Sequence, residues 1–300
     1  QRQMCIRDRI NSGLIVNQGF EFMLYSTPVQ TKDFTFDLNI NLSRNVSKVK
    51  ELADGVDYLF FNGDANFPIN VGTRVGHRLG EIYAKNLYKR DENGNMIVNK
   101  QGRPTKVSGE DAFQYTLDHP IGNIEPDLLM SVSPSFTYKG FTLSALFDMK
   151  FGGDIVSVSE AMATSTGLAA RTANRGNAEN GWKIVAPGVT ADGTVNSTAM
   201  NAQRYYTSMS GMAEEFVYDA SFIKLKELSL GYSFPKSILK KTPLTSLNVA
   251  FVARNLAYLM KHTPGTSPEG GYDTSMFSQA IDYMSVPYTR TFGLSINLGF

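Results

Sequence analysis

The feature that most restricts this chain is a period of two that runs to its last residue. "RTFGLSINLGF", Arg290 to Phe300, places apolar side chains at Phe292, Leu294, Ile296, Leu298 and Phe300, separated by Gly293, Ser295, Asn297 and Gly299. Successive side chains of a β-strand point to opposite faces, so this pattern predicts a strand with one fully apolar face. The same pattern recurs upstream. Phe20, Phe22 and Leu24 form one row, and after "STPVQTKD" come Phe34, Phe36, Leu38, Ile40 and Leu42. Val132, Pro134, Phe136 and Tyr138 alternate with Ser131, Ser133, Ser135 and Thr137, followed by a tight Lys139-Gly140 turn. Then come Phe141, Leu143, Ala145, Phe147, Met149 and Phe151, then Leu228, Leu230, Tyr232 and Phe234, then Leu247, Val249, Phe251 and Ala253. With the closing strand these make seven. Helical spacing fits none of them as well, and "MAEE" and "PKSILKK" read at most as short helical turns.

Alternation alone does not say which face is wet. A soluble sandwich turns its apolar face inward, whereas a membrane barrel turns it outward to lipid and keeps small polar residues in the lumen. Two observations favour the barrel. Connections alternate between short (Ser26–Asp33, Lys139–Gly140, Pro235–Ser246) and long (Ser43–Leu128, Gly152–Asp219, Ala257–Val286), which gathers every long loop at one end. Outer-membrane barrels have this asymmetry, with short periplasmic turns and long outer loops. The faces opposite the apolar rows are also rich in Ser, Thr, Asn and Gly rather than in Lys and Glu. Pro134 counts against a central strand position, because proline removes one ladder hydrogen bond. With Phe300 at the periplasmic side, all strand directions back to Phe20 are consistent. Seven strands do not close a lumen, and an open edge in lipid is untenable, so further strands are expected before Ile10.

Composition removes other classes. The formal charge is +1 without a long basic run, which argues against nucleic acid as a partner. Cys5 is the only cysteine, so no internal disulfide forms. No stretch approaches the ~18 apolar residues of a membrane helix, but a barrel strand needs only ~9–11. The opening "QRQMCIRDR" lacks a signal-peptide core. It resembles the peptide obtained when sequencing adapters are translated in assembled reads. Gln1 to Arg9 are therefore expected to be non-native, with residues 10–300 the tail of a longer protein.

Several segments resemble the C-terminal end of SusC/RagA-type TonB-linked outer membrane proteins. They are "NQGFEFMLYSTPVQTKDFTFDLNINLSRN", "VGHRLGEIYAKNLY", "SPSFTYKGFTLSALFDMKFGGDI", "APGVTADGTVN", "SFIKLKELSLGYSFPKSIL", "LNVAFVARNLAYLMKHTPGTSPEG" and "YTRTFGLSINLGF". The resemblance covers nearly all of Asn11 to Phe300, and its specificity lies in their order and spacing. It implies about seven C-terminal strands of a 22-stranded outer-membrane barrel in a Gram-negative bacterium, without the plug and the segment that contacts the TonB complex. The whole receptor is implied to import oligosaccharides or peptides with a SusD-like surface lipoprotein and no cofactor. Many relatives carry an aspartate-rich run before "SPSFTYKG". Here that region reads "FQYTLDHPIGNIEPDLLM", so no calcium site is carried over. The resemblance also explains the last strand: Phe292, Leu294, Ile296, Leu298 and Phe300 would form the signal read by the barrel-assembly machinery, although Ser295 stands where many such signals carry glycine.

No catalytic or metal constellation emerges. His77, His119 and His262 lie far apart in sequence without spaced ligands. "DENGN", Asp91–Asn95, opens like a calcium loop but has Met96 where glycine is required, and reads instead as a hairpin turn. Trp182, Tyr205 and Tyr206 fall in the second long loop, where an aromatic ring stacks on a sugar, packs on a partner lipoprotein or stabilises its own loop. Arg254 has lumen-facing parity near the outer end of its strand, where it contacts ligand or forms an ion pair across the wall. The expectation is a non-enzymatic importer segment. A soluble β-rich binding module or adhesin is the first rival and a secreted glycan-cleaving enzyme, needing a carboxylate pair, the second.

Overall fold

The computed structural model describes residues 13–61, 69–271, 278 and 281–300. The expectation that Gln1 to Arg9 are non-native falls outside them. Seven strands form one antiparallel sheet in sequence order: β1 (Leu14–Gln30), β2 (Phe34–Glu51), β3 (Leu128–Tyr138), β4 (Phe141–Phe151), β5 (Phe222–Ser233), β6 (Ser246–Lys261) and β7 (Thr291–Gly299). Every strand thus pairs with its neighbour in the chain, and the long connections share one end.

The register joins the apolar residues into rows that cross the sheet. Phe36 pairs with Phe136, which also faces Leu143; Leu143 faces Leu230, Leu230 faces Phe251, and Phe251 faces Leu294. The Phe36 and Phe136 rings stack at 4.7 Å. These residues are not covered by a second layer: Phe136, Leu143, Leu230 and Phe251 are exposed, and Phe292, Leu294, Ile296, Leu298 and Phe300 are 50–82% accessible. Pro134 does not break the sheet. It pairs with Leu38 of β2, whereas on the β4 side the ladder jumps from Ser144–Ser135 to Phe147–Val132 in unchanged register. The missing N–H therefore costs a local gap and no slip.

The Lys139-Gly140 turn has φ of 46° and 88°, the primed geometry that matches strand twist. Between β5 and β6 a helical turn, Lys236–Leu239, buries Leu239, as "PKSILKK" suggested.

Three helices were not anticipated: α1 (Glu110–Asp118), α2 (Val158–Thr166) and α3 (Ala202–Met209), all within long connections. The connections are packed and not extended. Ile69, Val71, Ile82, Ala84 and Leu87 from the first share a core with Val156 and Ala213 from the second and Ile281 from the third. A small sheet ties the second connection to the third, with Asp154–Ser157 pairing antiparallel with Val217–Asp219 and parallel with Ile281–Asp282. Each large aliphatic side chain buried here contributes roughly 1.5–3 kcal/mol, so the loops form a compact cap at one end of the sheet.

Candidate functional site

The polar face of the sheet, opposite the bare apolar rows, carries the chemistry. Asn39, Asn41 and Ser43 on β2 adjoin Ser131 and Ser133 on β3, and Asn41 donates to Ser131 Oγ at 3.3 Å. Towards the cap the row becomes charged. Arg254 Nε meets Glu227 Oε2 at 2.8 Å across the β5–β6 pair, and Lys226 Nζ meets Asp148 Oδ2 at 2.6 Å across β4–β5. Arg254 is therefore in the ion pair that its parity allowed.

A bulge makes this arrangement possible. Leu146 faces Glu227 but Phe147 faces Leu225, so Lys226 is an extra residue. Strict alternation would put Lys224 and Lys226 on the apolar face with Leu228. The extra residue reverses the parity: Leu225 and Ile223 join the apolar rows, and Lys224 turns to the polar face beside Asp148. The signal was present in the sequence, since apolar positions switch from even numbers to odd ones between Leu228 and Leu225.

Lys224 is almost fully buried. Its Nζ lies 2.5 Å from Glu269 Oε2 and sits over the rings of Tyr258 (5.1 Å) and Tyr288 (4.7 Å). The Tyr258 hydroxyl donates to the same Glu269 oxygen at 2.5 Å. Glu269 and Tyr288 belong to the third long connection, so a charge held by wall residues pins that loop against the polar face. Beneath it lies a cleft of about 360 Å³, lined by Ser43, Leu129 and Lys150 from the wall and by Glu125, Asp154 and Glu269 from the loops. Asp154 Oδ2 accepts from the Asn123 backbone at 2.8 Å, yet burial outweighs this and pushes its carboxyl above the usual range. The cleft is thus a mixed-charge recess at the boundary of wall and cap, and it can hold the end of a polar ligand.

The residues singled out from sequence take different positions. Phe292, Leu294, Ile296 and Leu298 lie on one face of β7 opposite Ala253, Phe251, Val249 and Leu247, and Phe300 follows the strand. Trp182 is half exposed with φ of 56°. Tyr205 and Tyr206 are both buried on α3, in a core with Phe216, Met200 and Ala161. The Tyr206 hydroxyl donates to the carbonyls of Arg171 (3.0 Å) and Asn174 (3.2 Å). Both tyrosines pack into the core of their own loop, and Tyr206 also borders a cavity there. "DENGN" is a turn: Asp91 Oδ1 accepts from the backbones of Asn93 and Asn95, and Gly94 has φ of 80°.

A consecutive antiparallel sheet with bare apolar rows on one face and polar and ionic groups on the other is the wall of a transmembrane β-barrel. Comparison specifies the barrel further: the chain is homologous, over 97% of its length, to TonB-dependent receptors. It is 28% identical over 308 residues to TonB-dependent receptor P3 of Formosa agariphila, covering 29% of that protein. It is 27% identical over 305 residues to TonB-dependent receptor SusC of Bacteroides thetaiotaomicron, covering 27%. Its fold matches the structure of the RagAB peptide transporter with a TM-score of 0.64 at 18% identity, covering 97% of this chain and 30% of that one. No family model matches. The chain thus spans less than a third of the length of these relatives.

Proposed function

We propose that this chain forms the C-terminal wall and outer loops of an outer-membrane importer that takes up oligosaccharides or peptides. The reading is carried by the two-faced sheet: its bare apolar rows suit lipid, and its polar face suits an aqueous passage under a packed cap. The names of the relatives support import over catalysis, since they are receptors and a peptide transporter. In this reading the remaining strands complete a 22-stranded barrel, and a plug moved by the TonB complex opens the path. A SusD-like lipoprotein closes over the cap. The β7 row ending in Phe300 is the handle for the barrel-assembly machinery, because an unpaired strand edge templates pairing.

Fractionation and uptake test this together. The protein should co-sediment with outer-membrane markers, and disrupting its gene should abolish a protonophore-sensitive uptake of a labelled oligosaccharide or peptide. Deleting Phe300 should lower the amount assembled in the outer membrane. Recovery in the soluble fraction, or an unchanged yield without Phe300, would refute the corresponding part.

A further inference from the structure

We propose that a cavity in the second long connection is a saccharide-binding site with Trp182 as its stacking platform. The cavity measures about 510 Å³, within the ~300–1,000 Å³ usual for small-ligand sites. Trp182, Arg175, Asn201, Gln203, Thr164 and Tyr206 are among its lining residues. Trp182 is the only tryptophan of the chain and lies half exposed, unlike the neighbouring Tyr205 and Tyr206, which are buried. An indole that served only to hold the loop together would be buried with them.

The backbone supports a dedicated placement. A φ of 56° is uncommon for any residue other than glycine, and for a bulky one it is an outlier that the surroundings must enforce. Here the Trp182 N–H donates to the Asn177 carbonyl at 2.9 Å, and its carbonyl accepts from Ala202 at 3.0 Å, where α3 begins. The backbone that carries the ring is thus held through both its N–H and its carbonyl.

The walls of the cavity are polar, with Ser165, Thr166, Asn201 and Gln203 among them. Polar groups around the cavity retain spare capacity. The Gln203 amide has no partner among the described residues. Among the described residues, Asn201 uses its Oδ1 for the Arg204 backbone and has no partner for its amide hydrogens, and Arg175 makes one bond, at 3.3 Å, to the Gly167 carbonyl.

This set suits a pyranose. A sugar ring offers a C–H face to an indole and a rim of hydroxyls that both donate and accept, which planar amides and a guanidinium bridge well. No carboxylate lines the cavity among the described residues, so the amino terminus of a peptide finds no counter-charge from them. The assignment rests on the reading that this connection faces the cell exterior, where a saccharide can reach it. It does not depend on transport.

The test is binding by the detergent-purified full-length receptor that contains this chain, first on a glycan array and then by titrating the tryptophan emission that Trp182→Gly removes with each retained oligosaccharide. Trp182→Gly suits the backbone, because glycine adopts positive φ without strain. We expect saturable binding of at least one oligosaccharide with a blue-shifted emission. Affinity should fall about tenfold or more in Trp182→Gly, measured on the array scale, as expected for loss of one aromatic stack. It should fall by a smaller factor in Gln203→Ala, with both variants keeping the heat-modifiable gel mobility of the folded barrel. Retention of no glycan, unchanged affinity in Trp182→Gly, or equal Trp182-dependent binding of a tryptophan-free neutral octapeptide would each overturn the proposal. Uptake is measured separately. Lost binding with intact uptake leaves the importer reading standing, and retained binding without energised uptake leaves the saccharide site standing.

Discussion

Arginine placed along β5 should have an energetic cost that depends on both face and depth. Leu228 and Leu230 lie on the apolar face, paired with Ala145 and Ala253 and with Leu143 and Phe251 respectively, while Ser229 between them faces the other way. Because β5 has neighbours on both sides, its orientation is fixed by two ladders. Leu228 is five residues from Ser233, where the strand ends at the short-turn side. At about 3.3 Å per residue and a tilt near 40°, that puts it about 13 Å into the apolar band, close to the middle of a belt about 25 Å tall. Leu230 enters only about 8 Å by the same geometry. Leu228→Arg should therefore cost roughly 2–4 kcal/mol, Leu230→Arg a smaller part of that, and Ser229→Arg close to zero. The assay is chemical unfolding of the full-length receptor that contains this chain, folded into phosphatidylcholine vesicles and followed by heat-modifiable gel mobility. Three equal effects, or Ser229→Arg as the most damaging, would refute the assignment of the apolar face to lipid.

Removing Glu269 should release the third connection. Glu269→Ala leaves the buried Lys224 ammonium with only the Tyr258 and Tyr288 rings, and stripping one partner from a buried pair costs roughly 3–5 kcal/mol. Part of this is relieved because Glu269 is partly exposed; limited proteolysis within residues 262–290 should nonetheless accelerate, and Lys224→Met combined with Glu269→Leu should restore protection. Additive losses in the double variant would count against the pairing. Asp154 gives a pH signature. Burial raises its pKa in the folded state, so its favourable contribution is full below about pH 4, the ordinary carboxylate value, and is lost as pH rises through the raised value. Asp154→Asn keeps an oxygen for the Asn123 N–H, and should flatten this part of the pH–stability curve and melt no lower than the parent at neutral pH. A lower neutral melting temperature with the same pH slope would contradict it.

The extent to which the sequence could be read follows from the range of the forces involved. Period two is a property of the strand backbone, so the apolar rows from Phe20 to Phe300 locate all seven strands and both faces without any knowledge of their neighbours. The alternation of short and long joins then orders the strands, because an antiparallel pair joined by Lys139-Gly140 has no other way to meet. Even the Lys226 bulge left a trace, in the switch from Leu228 to Leu225. The cap was opaque. The short segment of α3 is helical because Tyr205, Tyr206 and Met209 find Phe216 and Ala161, which arrive from elsewhere in the same connection. Ile281 is buried only because two other connections meet it.

By itself, then, the sequence determined the strands and their two faces, since these rest on stereochemistry repeated every two residues, and the short–long alternation of the joins with the small polar residues opposite the apolar rows indicated which face meets lipid. The tertiary structure alone decided which aromatics are buried and which stay open, how Lys224 is neutralised, and where cavities form. Those outcomes depend on contacts between residues far apart in the chain, and a burial free energy has no value until the partner surface is in place.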